Sequence, residues 1–249
     1  MAKAGSKKRK IIICIVSIVA VIALLFGACA VYLGDYYHAI TPAVESFGLR
    51  DGSSLTETIK LDNGNIVCKG ENATKGLIFY PGGKVEYTAY LPLMESLAQK
   101  GILCVLVKMP FNLAVFDVNA ADGIREMFPE ITDWYIGGHS LGGSMAAAYL
   151  EKHPSDFKGL LLLAAYSTAD LSNENIRTLS IYGSNDGVLN REKYEQYRSN
   201  LPELTEYIID GGCHAYFGVY GSQDGDGTPT IDNARQINLT ADAVAKWVG

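Results

Sequence analysis

Histidine and cysteine are scarce in this chain, and neither is gathered into a cluster. Four histidines and five cysteines are spread over 249 residues. No His and carboxylate group stands at the spacing of a zinc site, so neither a metal nor any other cofactor is expected. Cys14, Cys29, Cys68, Cys104 and Cys213 are too scattered to form a disulfide framework. Internal repeats and low-complexity tracts are missing, which leaves an ordinary globular chain of one domain plus an appendage. Positive charge is short as well. Met1 to Lys10 hold five Lys or Arg and no acid, and the remainder sets sixteen such cations against 27 acids, a net charge of about −11. An acidic body repels phosphate backbones and argues against nucleic acid as a partner.

Charge is also absent from Ile11 to Leu33. A run of that length spans a bilayer at about 1.5 Å per residue. The apolar core of a secretory signal is only about 7–15 residues long, so a retained signal-anchor helix is expected. Ala28-Cys29-Ala30 as a cleavage pattern and Phe26-Gly27-Ala28-Cys29 as a weak lipoprotein box are the alternatives. Lys3, Lys7, Lys8, Arg9 and Lys10 precede the run, whereas the first ionised residue after it is Asp35. The positive-inside bias then keeps the N-terminus cytoplasmic and exports the chain beyond the run. The expected division is a basic N-terminus (1–10), a transmembrane helix (11–33), a stalk (34–54) and a catalytic domain (55–249).

Within that domain, Thr56–Leu61 and Asn65–Cys68 flank Asp62-Asn63-Gly64, a hairpin signal suited to an antiparallel edge. Strands and helices then alternate. Strands are expected at 76–80, 102–107, 134–138, 159–164, 178–183 and 205–209. Helices are expected at about 88–100, 113–128, 191–200 and from 233, with a small-residue helical run at 144–150. Near-continuous apolar strands such as Ile102-Leu103-Cys104-Val105-Leu106-Val107 suit a sheet covered on both faces. The fold class is α/β, a doubly wound and mostly parallel sheet with an N-terminal antiparallel hairpin.

The chemistry centres on Gly138-His139-Ser140-Leu141-Gly142, between the strand at 134–138 and the helical run. In that strand–turn–helix setting G-x-S-x-G is a nucleophile elbow. Glycines are needed because a Cβ at the flanking positions would meet the neighbouring strand or helix. The helix N-terminus adds partial positive charge at the serine. A serine hydroxyl needs a base, and the base an orienting group. His38 lies too far upstream, His139 is inside the elbow with its ring directed elsewhere, and His153 belongs to a helix end stopped by Pro154. His214 remains, after a strand and a glycine turn. The acid should fall between serine and histidine at a strand end; Asp186 fits, with Asp210 as its competitor. An oxyanion hole needs two backbone donors. Leu141 follows the nucleophile, and Pro81-Gly82-Gly83-Lys84 follows an earlier strand, with Gly83 as the expected donor and Lys84 as the fallback.

Phe79-Tyr80-Pro81-Gly82-Gly83-Lys84-Val85, Val107 to Ala114, Gly138 to Gly143 and His214-Ala215-Tyr216-Phe217-Gly218 carry a family resemblance. From about Leu55 to Val248 the chain resembles an α/β-hydrolase, of the compact lid-less group near the dienelactone hydrolases. Those enzymes use a cysteine nucleophile, whereas this elbow carries Ser140, which turns the expectation toward a serine esterase. The resemblance implies the fold and the triad roles of Ser140, Asp186 and His214.

The link from Ala165 to Arg177 is about a dozen residues, too short for a lid, so an open site is expected with Phe111, Tyr166, Tyr216 and Phe217 as candidate walls. Gln223-Asp224-Gly225-Asp226-Gly227 lacks further carboxylates at calcium-ligand spacing and reads as a mobile acidic turn. The expected function is a membrane-anchored extracytoplasmic serine hydrolase acting on a small-molecule or lipid ester. The alternatives are a peptidase or transacylase on the same triad, and a catalytically idle binding module. Oligomeric state is left open by the sequence.

Overall fold

The computed structural model describes residues 3–42 and 56–249. The chain divides into two compact units, one ending at Tyr36 and one running from Tyr37 to Gly249. The first is a single helix, α1 (Lys3–Gly34). Its segment Ile12–Gly34 is the one helix among the described residues long and apolar enough to cross a membrane. Twenty-three residues reach about 35 Å, against roughly 30 Å of bilayer hydrocarbon.

Residues 43–54 of the expected stalk lie outside the described residues, but residues 37–40 belong to the second unit. The Tyr37 amide donates to the Lys84 carbonyl at 2.8 Å, and the Glu86 amide to the Tyr37 carbonyl at 2.8 Å. Tyr37 thereby bridges Val85 in a parallel sense. The Ile40 amide donates to the Val219 carbonyl at 2.9 Å.

The second unit contains strands β1 (Thr56–Lys60), β2 (Ile66–Gly70), β3 (Lys75–Tyr80), β4 (Ile102–Leu106), β5 (Asp133–His139), β6 (Gly159–Leu163), β7 (Arg177–Gly183) and β8 (Leu204–Ile209). Helices α2 (Leu91–Ala98), α3 (Leu141–Leu150), α4 (Arg191–Tyr197) and α5 (Asn233–Val248) connect and cover them. All eight strands form one sheet in the order β1-β2-β4-β3-β5-β6-β7-β8. β2 pairs antiparallel with β1 and with β4, and every other pairing is parallel. The hairpin turns at Gly64, whose φ of 87° is open to glycine without strain. Its partner Asn63 accepts the Asn65 amide at 3.0 Å.

The apolar strands are apolar because both faces are covered. Successive side chains of a strand point to opposite sides. Phe79 joins a core with Tyr90, Met94, Ile181, Phe217 and Ile237. Its neighbours Ile78 and Tyr80 join the other, with Val105, Ile136, Leu150 and Leu162. The outermost strands β1 and β8 are largely exposed.

One expected element is not there. Residues 113–128, read as a helix, instead form short 3₁₀ turns at Ala114–Phe116 and Arg125–Met127, joined by irregular backbone. A core side chain takes the backbone groups that a helix would have paired. The Tyr80 hydroxyl donates to the Val118 carbonyl at 2.8 Å and accepts the Ala121 amide at 3.0 Å. Gly123 at φ 74° interrupts any continuation. Helix α2 starts later than expected, at Leu91, after a 3₁₀ turn at Tyr87–Tyr90 and with Pro92 in its first turn. Among the described residues, no helix or strand lies between β6 and β7, so nothing there forms a lid.

Candidate active site

The elbow sits where β5 turns into α3. Ser140 is the helix N-cap at φ 51° and ψ −123°, a backbone conformation that costs a non-glycine residue on the order of 1–3 kcal/mol. The crowding around it explains the flanking glycines. A Cβ on Gly138 would stand 2.7 Å from the Gly142 carbonyl carbon, and one on Gly142 would run into the backbone of Tyr80 and Pro81. The Ser140 amide donates to the Leu163 carbonyl of β6 at 2.9 Å, fixing the turn to the next strand.

Asp186 and His214 come from loops after β7 and β8 and meet at the same end of the sheet. The Asp186 carboxylate lies 3.0 Å (Oδ2) and 3.2 Å (Oδ1) from His214 Nδ1. Both side chains are enclosed, at 0% and 1% exposure. Oδ1 of Asp186 also accepts the amides of Val188 (2.9 Å) and Leu189 (2.8 Å), which set its direction. His214 Nε2 is buried and has no hydrogen-bond partner among the described residues. Asp210, the competing acid, is exposed and lies 3.4 Å from the Ser184 hydroxyl.

The other flank of Ser140 is built from backbone. Leu141 begins α3, so its amide is one of the first-turn donors that no helical carbonyl can satisfy. In the loop after β3, the Gly82 amide donates to the Tyr90 hydroxyl at 3.1 Å and the Lys84 amide to the Asn112 carbonyl at 2.8 Å. The Gly83 amide between them has no partner among the described residues. A Cβ on Gly83 would stand 2.8 Å from Leu141 Cδ2, so the two amides belong to adjoining segments. Lys84, the fallback donor, is spent on Asn112.

His139 has its own place behind this arrangement. Its Nδ1 lies 2.7 Å from the Tyr90 hydroxyl, and its ring centroid 4.5 Å from that of His214. Burial, and then the neighbouring His214 charge, hold His139 well below the ordinary histidine range, against a contact with the His214 backbone that acts the other way. The ring is therefore a neutral wall between His214 and Tyr90. Burial likewise raises the Tyr90 phenol far above the usual tyrosine range.

A cavity of about 270 Å³ opens at Ser140 and His214, with Leu141, Tyr166, Val188 and Leu189 among its walls. Of the four aromatics expected as walls, Tyr166 lines it. Phe217 is fully buried and packs against His139 at 5.5 Å. Tyr216 faces a different cavity, with Cys213 and Asp226. Phe111 is exposed, at φ 53°, and meets Phe116 edge-on at 5.7 Å.

The turn at 223–227 differs most from its expectation. Asp226 Oδ1 accepts the amides of Gly187 (3.2 Å), His214 (3.0 Å) and Gly227 (2.8 Å), and Oδ2 accepts that of Ala215 (2.8 Å). Burial works to raise this carboxyl, but the amides of Ala215, His214 and Gly187 prevail and hold it below the usual carboxylate range. Sequence alone gives no signal for this role beyond the flanking glycines, Gly225 and Gly227, which permit close backbone approach.

A serine at a strained strand-to-helix turn, beside an enclosed carboxylate–imidazole pair at one end of a mostly parallel sheet, defines the architecture of an α/β-hydrolase. Residues 76–238 match the Alpha/beta hydrolase family, Abhydrolase_5, and the chain belongs to that family. Among solved structures, carboxyl esterase 2 from the fungus Tuber melanosporum superposes with a TM-score of 0.57 at 14% identity, over 79% of this chain and 87% of that one. Est1E from Butyrivibrio proteoclasticus does so at 0.54 and 13%, over 78% and 97%. A dienelactone hydrolase from Anabaena variabilis gives 0.56 and 14%, over 78% and 97%. At these identities the likeness is one of fold. A proline iminopeptidase of Thermoplasma volcanium is 26% identical over 125 residues, 45% of this chain and 42% of that protein. The match thus spans less than half of the relative's length.

Proposed function

We propose that this chain is a membrane-anchored serine hydrolase that cleaves carboxylic esters outside the cytoplasm. One observation carries the chemistry: an enclosed Asp186–His214 pair, with His214 Nε2 unspent, opening on the same cavity as Ser140. Ser140 Oγ attacks the acyl carbon while His214 Nε2 takes its proton. Asp186 holds Nδ1–H and stabilises the imidazolium. The amides of Leu141 and Gly83 receive the oxyanion, in the field of the α3 N-terminus. His214 then returns the proton to the leaving alcohol, and water repeats the cycle on the acyl-enzyme. The cavity of about 270 Å³ beside Ser140 and His214 gives the acyl group room to bind. The membrane assignment rests on Ile12–Gly34 and on the five cations before it.

The test is fluorophosphonate labelling of the full-length chain in membranes, with hydrolysis of a p-nitrophenyl ester series. Wild type should label at Ser140, and the series should show turnover that reads out the acyl length the site accepts. A wild type that neither labels nor turns over any ester would leave a binding module. The partial likeness to a proline iminopeptidase supports a second reading, an aminopeptidase on the same triad. Turnover of a proline anilide faster than any ester would select it. For topology, protease added to intact cells should remove the hydrolase unit; protection until lysis would place it inside.

A further inference from the structure

The loops that carry Asp186 and His214 share a third partner that has no place in the proton-transfer scheme. Asp226 accepts the amide of Gly187, the residue after the acid, and those of His214 itself and of Ala215. One carboxylate therefore ties the tips of both loops. The loops also interlock by shape. A Cβ on Gly187 would stand 2.9 Å from the Gly227 amide nitrogen, and one on Gly227 would run into the Asn185 carbonyl. Asn185 Nδ2 donates to the Thr228 carbonyl at 2.8 Å, closing the same contact from the other side. Further links between the loops, Asn185 N to Gly212 O and Gly211 N to the Ser184 hydroxyl, lie closer to the strands.

We propose that Asp226 is a positioning residue for the acid–base pair: its carboxylate sets the separation and alignment of Asp186 and His214 by holding their backbones. This inference rests on the reading of Ser140, Asp186 and His214 as a triad. Asp226 touches neither substrate nor the reacting atoms. Its effect passes through the Asp186–His214 hydrogen bond, where a displacement of about 1 Å is enough to cost on the order of 100-fold in rate. A charged brace suits the task because hydrogen bonds to an ionised acceptor are shorter and stronger than neutral ones. Asparagine keeps the shape but replaces one acceptor oxygen by a donor that faces an amide.

The experiment uses the full-length chain in detergent, comparing wild type with Asp226→Asn, Asp226→Glu and the neighbouring exposed Asp224→Asn as control. Four quantities are read: kcat and KM on a short ester, the rate of fluorophosphonate labelling, the unfolding temperature, and the low-field Nδ1 proton of His214 by NMR. For Asp226→Asn the expectation is a fall in kcat and labelling rate of about 100-fold, with KM within about twofold and a lost or broadened low-field proton. Asp226→Glu keeps the charge and overfills the site, so it should fold and lose about tenfold in kcat. Asp224→Asn should match wild type. Wild-type kcat together with an intact His214 signal in Asp226→Glu overturns the proposal, even if Asp226→Asn does not fold. So does a lowered unfolding temperature with the His214 signal unchanged, which makes Asp226 merely structural. A wild type without labelling, equal to Ser140→Ala, sinks the triad reading instead, and the low-field proton then still reports whether Asp226 aligns the pair.

Discussion

The two flanks of Ser140 are held by different physics. On the side proposed for acid–base chemistry, carboxylates accept backbone amides: Asp186 takes Val188 and Leu189, while Asp226 takes Gly187, His214, Ala215 and Gly227. On the side proposed for the oxyanion the ties are neutral, a phenol and an imidazole packed in a buried layer of Tyr90, His139 and Phe217. Charged ties fix direction tightly and depend on ionisation; neutral buried ties depend on every polar atom having its partner. The difference predicts how each flank fails.

The largest effect is expected at Ser140, the proposed nucleophile between the two flanks. Ser140→Ala should lower ester hydrolysis on the order of 10⁶-fold, with the unfolding temperature unchanged or raised, since the strained turn gains nothing from the hydroxyl. Retained turnover in that variant breaks the assignment. Asp186→Asn should cost about 10⁴-fold in kcat through the wrong imidazole tautomer. Asp210→Asn should match wild type, and the reverse pattern in steady-state assays would move the acid role to Asp210.

On the neutral flank smaller losses are expected. Gly83→Ala drives a methyl toward Leu141 and should spread the two amides, lowering kcat about 100-fold with little change in KM. An unchanged kcat would remove Gly83 from the oxyanion hole. Tyr90→Phe leaves the Gly82 amide and His139 Nδ1 unpartnered, at about 1–3 kcal/mol for each stranded group. It should lower the unfolding temperature clearly while reducing kcat only about tenfold; a larger catalytic than thermal loss would mean that the two flanks do not differ as described.

The smallest expected effect is one of pH. His139 is held neutral, with its folded pKa depressed below the unfolded value of about 6.5. Its contribution to stability is complete above that value. It is lost as pH falls, because the unfolded chain then binds a proton that the folded chain refuses. Thermal unfolding between pH 7.5 and 5.5 should therefore fall more steeply for wild type than for His139→Asn. Parallel slopes would show that His139 titrates like an exposed ring.

How much of this was legible in the sequence depends on how local each feature is. The elbow obeys a rule contained in five residues, so Gly138-x-Ser140-x-Gly142 announced it. The hairpin at Asp62-Asn63-Gly64 and the alternating strands were legible for the same reason. Asp186 and His214 could be singled out by chain order and strand ends, and the fold brings them to 3.0 Å. Residues 113–128 misled because their apolar spacing suits a helix, while the competitor for their backbone, the Tyr80 hydroxyl, stands 38 residues away from Val118. Asp226 was hidden for a related reason. A carboxylate in a glycine-rich turn looks solvated until the loops that carry Asp186 and His214 converge on it. Three of the four expected pocket aromatics, Phe111, Tyr216 and Phe217, turned elsewhere, since an aromatic near a motif carries no sign of which face it takes.

The seating of Tyr37 bears on where the hydrolase can be cut free. Its backbone clasps Lys84 and Glu86, next to Gly83, and its hydroxyl receives the Asp224 amide at 3.1 Å, two residues from Asp226. A soluble fragment begun at residue 55, where the sequence suggests a boundary, would discard a clip that touches both flanks. A fragment begun upstream of Tyr37 would keep that clip.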